Sequence, residues 1–290
     1  MRRTPLLFRA RLACALLLGS ALLASGDRDA VAAGRDLTGR TAPELVFPDG
    51  ANGIGPGTRL TSFRGKVVWV KFALRDCPLC RKTLPRAQDR HERWGGSGLV
   101  VLVVMHQYRP EGFRRLMQEN GYTFRVGCDL DGSLARRYGV RHRPADYVIG
   151  VDGRVLSSNG APDAVLLEAL GHYRLRRLGP VVPSLEGVRR AIWRWDYGAA
   201  LRVVETAARS ADAPASVKRT ATHVEALARE ELDARLAYAA VLAARGDRAS
   251  AQAVCRRVVA HFRGTALAPA DGSGCRRWAG KEAGRGAGRR

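Results

Sequence analysis

The stretch KFALRDCPLCRKTLP, residues 71–85, places Cys77 and Cys80 three positions apart. The apolar run KVVWVKFAL (66–74) has the length of a strand and leads into it, and a segment of helical composition follows. This order puts Cys77 at a helix N-terminus and Cys80 one turn further on, on the same side. The unpaired N–H groups and the helix dipole there favour a negatively charged sulfur, which is the nucleophilic form. Pro78 suits the first helical position because it has no N–H to leave unsatisfied.

A metal site and a pair of inert buried thiols are the alternative interpretations of these two cysteines. A structural zinc site usually needs four ligands, typically with a second Cys or His pair at similar spacing. The sequence has no second CxxC, and nothing in it brings its single histidines together with Cys128. Packing alone gives little reason for two cysteines at a strand-to-helix junction. We therefore predict a redox-active dithiol of Cys77 and Cys80, with no metal and no cofactor.

The pattern on both sides of the cysteine pair predicts an α/β layer with parallel and antiparallel strands, spanning residues 41–178. Apolar runs bounded by Gly and Pro indicate strands, and apolar residues on one face indicate helices. The Val-Asp-Gly-Arg turn is a strong hairpin signal. The predicted elements are strands at 42–50, 57–65, 66–74, 97–105 and 123–127, helices at 78–96, 109–122 and 132–140, a hairpin at 144–158 and a closing helix at 162–178.

A second, all-α region is predicted from 184 to 268, where every apolar stretch has helical spacing. Residues 231–262 predict a helix–turn–helix hairpin that weakly resembles a tetratricopeptide unit, and an ordinary helical bundle is the alternative. The tail 269–290 is rich in Gly and Arg without apolar periodicity, which predicts a disordered basic segment. A disulfide between Cys255 and Cys275 would tie this tail back, and the sequence leaves that pairing open.

The first 26 residues have the anatomy of a secretory signal peptide. A positive segment, MRRTPLLFRAR, precedes 13 apolar residues and then the small residues Ala24, Ser25 and Gly26. The apolar stretch is shorter than the roughly 20 residues that cross a bilayer, so no stable membrane span is expected. We predict an exported protein of the periplasm or cell envelope, with residues 27–40 as a loose leader. Disulfides persist in such an oxidising compartment.

The chain is strongly basic, with 49 basic and 27 acidic residues in 290 and a net charge of +22. Only five of the basic residues are lysines, and the arginines are scattered through every segment. Nucleic-acid binding would need a basic patch together with a recognition motif, and no such motif accompanies them. We attribute the bias to a GC-rich genome and predict no nucleic-acid partner.

Several motifs together resemble exported redoxins of the thioredoxin-like, TlpA/ResA type over residues 41–175. They are APELVFPDG, LTSFRGKVVWVKFALRDCPLCRKTLP and GYTFRVGCDLDGSLARRYGVRHRPADYVIGVDGRV. The resemblance implies a thioredoxin-like fold with a mixed central sheet, here followed by the all-α region. It also implies that Cys77 attacks a foreign disulfide and that Cys80 resolves the mixed disulfide. Pro144 matches the family's cis-proline beside the cysteines, and Arg143 before it would offer backbone groups to a bound chain.

The sequence departs from the family at three positions around the pair. Thioredoxins carry a buried acid six residues before the first cysteine as proton acceptor, and this chain has Lys71 there. Thr83 replaces a glutamate that is common in exported relatives, and Asp76 replaces the usual tryptophan. The proton acceptor for Cys80 is therefore unidentified from the sequence.

The functional prediction is an exported thiol–disulfide oxidoreductase. Its partners would be protein thiols or disulfides in the cell envelope and an electron-donating thiol protein. One alternative is an interaction module, with a partner for the helical region and a catalytically weakened redoxin domain. The other is a peroxiredoxin-like peroxidase, although Leu74 stands where peroxiredoxins carry a threonine.

Overall fold

This computed structural model describes residues 34–106 and 110–269. Within them a six-stranded mixed sheet is followed by helices alone. The predicted fold class, an α/β thioredoxin-like fold with a subsequent all-α region, is confirmed. The predicted signal peptide (1–26), the tail from 270 and Cys275 lie outside the described residues.

The six strands form one sheet in the order β1-β4-β3-β2-β5-β6. The pairs β2–β3 and β3–β4 are parallel. The pairs β1–β4, β2–β5 and β5–β6 are antiparallel. Parallel strands buried on both faces read as continuous apolar runs, which is why β2 and β3 were recognisable. The strands are β1 (Gly50–Ala51), β2 (Val67–Ala73), β3 (Leu99–His106), β4 (Arg125–Asp129), β5 (Ala145–Ile149) and β6 (Val155–Ser158).

The helices around the sheet confirm the predicted elements with small shifts of their ends. They are α1 (Pro78–Trp94), α2 (Pro110–Asn120), α3 (Ser133–Arg137) and α4 (Asp163–Leu178). The return from α1 to β3 is tight, and Gly98 takes a φ of 104° there. A Cβ at this position would lie 2.3 Å from the ring of Tyr173 on α4, so the turn requires glycine.

Successive side chains of β2 point to opposite faces of the sheet. Val68, Val70 and Phe72 belong to a core with Tyr138 and Tyr147. Trp69 and Ala73 belong to the other core, which α1 and α4 cover. Lys71 lies between Trp69 and Ala73 in the alternation of side chains and therefore on the same face of the sheet as these two residues.

The two short strands predicted at 42–50 and 57–65 are largely wrong. Only Gly50–Ala51 forms a strand, Val46 and Arg59 share one isolated bridge, and Leu60–Phe63 is a 3₁₀ turn. Pro48 interrupts the first segment because proline has no N–H for a ladder.

The expectation of a loose leader is wrong for the described residues 34–40. The Gly34 N–H donates to Asn159 Oδ1 at 2.7 Å, and the Leu37 N–H donates to Ser158 Oγ at 2.9 Å. Leu37 is buried in the core beside the sheet. Backbone hydrogen bonds to the end of β6 and one buried side chain therefore fix this segment.

The helical region consists of α5 (Glu186–Trp193), α6 (Tyr197–Ala208), α7 (Ala215–Ala244) and α8 (Arg248–Phe262). The predicted hairpin at 231–262 is confirmed, although α7 begins well before it. Asp196 and Asp247 cap α6 and α8 through the N–H groups of Ala199 and Ser250. None of the helices within residues 34–106 and 110–269 combines the length and the apolar character that a membrane span requires.

The long helix α7 packs on the outer side of α1, the helix that begins with the cysteine pair. Tyr238 donates to Asp89 at 3.0 Å, and Arg245 forms an ion pair with Glu92, with one N–O distance of 2.7 Å. These contacts attach the helical region to the sheet region. The predicted division into domains at 41–178 and 184–268 stays a prediction.

Glu231 of α7 is a charged residue buried at the junction of the two regions, with 4% of its surface exposed. It accepts from Ser97 at 2.9 Å and pairs with Arg235 at 2.9 Å. The buried guanidinium of Arg174, which stacks against Trp195, lies 3.9 Å from its carboxylate. Glu231 therefore supplies the negative charge that balances two arginines in a poorly solvated place.

Glu231→Ala should lower the free energy of unfolding by about 3 kcal/mol, because it leaves Arg174 buried without a counter-charge. The neighbouring Glu230→Ala is the matched control. Glu230 pairs with Arg177 at a half-exposed position, so its removal should cost less than about 1 kcal/mol. Urea denaturation of both variants measures the two values. Equal losses would contradict this account of the junction.

Candidate active site

The two cysteines lie at the start of α1, where β2 ends at the carboxyl edge of the sheet. Cys77 is the N-cap residue, with extended backbone angles, and its Sγ accepts the N–H of Cys80 at 3.2 Å. Pro78 occupies the first helical turn as predicted. Both cysteines are thiols in the structure. A helix N-terminus presents unpaired N–H groups, so it suits a sulfur that becomes negatively charged.

The two thiols differ in exposure, and burial shifts the pKa of one of them. Cys77 is partly exposed, whereas Cys80 is fully buried under the first turn. Burial raises the pKa of Cys80 to about 12, and its hydrogen bond with Cys77 raises it further, while the positive charge of Lys71 opposes both. Cys77 is therefore the sulfur that a foreign molecule can reach, and Cys80 is the sulfur that stays protonated at neutral pH.

The Arg143–Pro144 peptide bond is cis, as the sequence predicted. It lies beside the cysteine pair, because the Cys77 thiol contacts the carbonyl oxygen of Arg143 at 3.7 Å. Burial lowers the pKa of the Arg143 guanidinium, and Asp129 and both cysteines oppose that shift. The Arg143 side chain thus adds positive charge near the two sulfurs.

The surface next to the pair offers apolar contact and a shallow depression. Leu79, between the cysteines, is 52% exposed although it is a large apolar residue. A depression of about 440 Å³ lies beside the first turns of α1, lined among others by Asp76, Arg81, Leu116 and Tyr122. An exposed leucine beside a reactive sulfur and an open hollow suits the approach of a polypeptide.

His106 and Asp129 are site neighbours that sequence reasoning did not bring together. His106 ends β3 and Asp129 ends β4, so they are paired across parallel strands, with Nδ1 and Oδ2 3.4 Å apart. Asp129 also accepts the N–H groups of Leu134 and Ala135 at 3.0 and 2.9 Å. Burial and the charge of Arg143 lower the pKa of His106. The sequence signal that could have predicted this pair is the position of both residues at the carboxyl ends of predicted strands.

Cys128 precedes Asp129 on β4 and is fully buried. Burial raises the pKa of its thiol to about 12. It is therefore a packing residue and a weak nucleophile at neutral pH. Among the residues that the structure describes, no cluster of three or more His, Cys, Asp or Glu could hold a metal ion.

Lys71 occupies the position at which thioredoxins carry a buried acid, and the structure shows its partner. Its Nζ lies 3.2 Å and 3.3 Å from the two carboxylate oxygens of Asp146, the residue directly opposite on β5. Asp146 was missed by sequence reasoning. The available sequence signal was its place two residues after Pro144, at the start of the predicted hairpin.

The model of the AhpC/TSA family matches residues 38–158 of this chain. The thiol–disulfide oxidoreductase ResA of Bacillus thuringiensis subsp. konkukian is 25% identical over 118 residues, which are 41% of this chain and 66% of ResA. ResA of Bacillus subtilis is 26% identical over 130 residues, 44% of this chain and 71% of ResA. The protein DipZ of Mycobacterium bovis is 28% identical over 123 residues, 40% of this chain and 18% of DipZ. The predicted resemblance to redoxins is confirmed.

Two solved structures are among those similar to this chain. A putative thiol:disulfide interchange protein DsbE from Chlorobium tepidum has 25% identity and a TM-score of 0.41, covering 45% of this chain and 95% of that structure. A putative thioredoxin from Neisseria meningitidis has 26% identity and a TM-score of 0.39, covering 46% of this chain and 89% of that structure. The family match ends at residue 158, before α4 and the helical region.

Iodoacetamide at pH 8 should modify Cys77 and leave Cys80 and Cys128 unmodified in the folded protein. The reason is that Cys77 is partly exposed, whereas the other two are buried and have pKa values of about 12. Peptide mapping by mass spectrometry identifies the modified residues. The Cys80→Ser variant is the control, because it should keep the modification of Cys77. Faster labelling of Cys80 than of Cys77 would contradict the assignment of the outer sulfur.

Proposed function

We propose that this protein is an exported thiol–disulfide oxidoreductase that exchanges disulfides with proteins of the cell envelope. The observation that carries the proposal is the asymmetry of the pair: one sulfur at a helix N-terminus is reachable, and the second is buried one turn away. The names of the ResA relatives support the same reaction class. The aligned part spans 66% of the length of the first of these relatives.

The reaction begins when the Cys77 thiolate attacks one sulfur of a foreign disulfide. A mixed disulfide forms, and the other foreign sulfur leaves as a thiolate. Cys80 then loses its proton and attacks Cys77 Sγ, which forms the Cys77–Cys80 bond and releases the second foreign thiol. Two electrons pass from this protein to its substrate. An electron-donating thiol protein would restore the dithiol.

Arg143 and Pro144 are proposed as the substrate-binding residues of this reaction. The Arg143 carbonyl contacts the Cys77 thiol at 3.7 Å, so a chain joined to Cys77 would lie against this segment. The exposed Leu79 lies between the cysteines in sequence and would add apolar contact. A partly extended substrate segment fits these features better than a small molecule, because the pair opens to a shallow surface.

The helical region is proposed to hold α1 rather than to act as a separate interaction module. Tyr238 and Arg245 of α7 already contact Asp89 and Glu92 of α1. That face of α7 is therefore used inside the chain. A partner for the helical region would have to bind elsewhere on it.

Cys77→Ser should abolish the reduction of insulin disulfides in the presence of a dithiol, because no reachable sulfur starts the exchange. Cys80→Ser should instead accumulate a mixed disulfide with insulin, since the resolving thiol is gone. Turbidity and non-reducing gels measure the two results. Cys128→Ala is the control and should retain the wild-type rate. Wild-type protein without insulin reduction, but with rapid consumption of hydrogen peroxide, would favour the peroxidase alternative.

Export is tested with residues 1–33 fused to alkaline phosphatase, which is active only after its own disulfides form outside the cytosol. We expect phosphatase activity from this fusion in a bacterial host. The matched control lacks residues 12–24 and should be inactive. Equal activity of the two fusions would contradict export through this segment.

A further inference from the structure

The resolving cysteine has no acid beside it of the kind that thioredoxins place on the strand before the pair. Cys80 is fully buried, and burial is the main cause that raises its pKa to about 12. Resolution nevertheless requires its thiolate, because the thiol is a poor nucleophile. Some group at this site must therefore favour the negative charge at the moment of attack.

Lys71 is the charged side chain of β2, the strand whose Trp69 and Ala73 share a buried core with Cys80. It lies in the middle of β2, on the face that α1 covers, and is 1% exposed. Its neighbours on that face, Trp69 and Ala73, share one apolar core with Cys80. A backbone hydrogen bond with Leu74 and, as a smaller contribution, the charge of Lys71 lower the pKa of Cys80. In so poorly solvated a place a fixed charge acts more strongly than it would in water.

Asp146 holds the ammonium group of Lys71 in place. Both carboxylate oxygens lie within 3.3 Å of Nζ, and the Trp69 indole N–H donates to Oδ1 at 2.8 Å. The register pairs Lys71 with Asp146 directly across β2 and β5. A buried ammonium is tolerated when it is paired in this way. Because these hydrogen bonds occupy the carboxylate, it is poorly placed to take a proton from Cys80.

We propose that Lys71, held by Asp146, is a positioning residue that stabilises the Cys80 thiolate during resolution of the mixed disulfide. The inference rests on the proposed exchange activity and names how its second step works. This arrangement replaces a proton-accepting acid with a fixed positive charge. The proton that Cys80 releases goes to solvent, and the departing substrate thiolate takes one up. The Cys77–substrate bond breaks as the Cys77–Cys80 bond forms, so electrons and atoms balance.

Other charged side chains near the cysteine pair could also affect the Cys80 thiolate, so the experiment has to separate their effect from that of Lys71. Arg90 of α1 stacks over Trp69, but its guanidinium is engaged by Asp163 at the start of α4. Arg143 lies close enough to both sulfurs that their charges partly oppose the burial that lowers the pKa of its guanidinium. Cys77 and Arg143 thus interact with Cys80, Asp146 pairs with Lys71, and Arg90 and Asp163 pair with each other next to Trp69.

The test separates the two steps with dithiobis(nitrobenzoate), whose product thiolate is coloured. Cys77 releases one equivalent when it attacks, and Cys80 releases a second when it resolves the adduct. Release by the Cys77→Ser variant measures the background of other cysteines and is subtracted. Stopped-flow absorbance from pH 6 to 10 gives both rates for the reduced full-length protein.

Lys71→Met should slow the second release by roughly tenfold at neutral pH and move its pH profile upward by about one unit. The sign follows because the variant loses a charge that lowers the Cys80 pKa, so less thiolate is present at each pH. The first release should stay within about twofold of wild type, which a merely structural defect would not allow. Lys71→Arg should restore most of the second rate. Lys66→Met, an exposed lysine just before β2, is the matched control and should match wild type.

The double variant Lys71→Met with Asp146→Asn keeps the test valid if the single variant does not fold. It removes the buried pair as a unit, which costs less stability than breaking it, and it should show the same slow second release. A second release with wild-type rate and pH profile in a folded variant without Lys71 would overturn the inference. A wild-type protein that releases no second equivalent would instead contradict the proposed exchange function.

Discussion

The hydrogen bond from the Cys80 N–H to Cys77 Sγ is the contact on which the organisation of the site depends. It exists because the chain leaves β2 in the middle of the sheet and starts α1 immediately, with a cysteine in place of the usual capping residue. The cap fixes one sulfur at the positive end of the helix and turns the other inward. Exposure, charge and reactivity of the two thiols then follow from one local backbone arrangement.

The sheet surrounds that junction with groups that reach it from other parts of the chain. Arg143 and Pro144 directly precede β5, and Lys71 of β2 pairs with Asp146 on β5. β5 and the residues just before it therefore contribute to the surroundings of both cysteines. It brings the backbone that meets Cys77, and it holds the charge that acts on Cys80.

Much of this fold was predictable because local patterns determine it. The buried strands β2 and β3 are continuous apolar runs, and Pro78 marks the start of α1. The pairing of Lys71 with Asp146 was not predictable, because it depends on the register between strands 75 residues apart in the sequence. For the same reason the contacts of α7 with α1 could not be anticipated. The order of residues 34–40 was missed because it rests on one buried leucine and on backbone hydrogen bonds, which leave little trace in composition.

The contacts between α7 and α1 affect how the sheet region and the helical region unfold locally. Asp89 and Glu92 lie three and four turns along the helix that Cys77 caps, and Tyr238 and Arg245 anchor them to a helix of 30 residues. Fraying of α1 from its far end is thereby coupled to detachment of the C-terminal hairpin. The helix that carries the chemistry and the region after it should therefore open together, as one cooperative segment in hydrogen exchange.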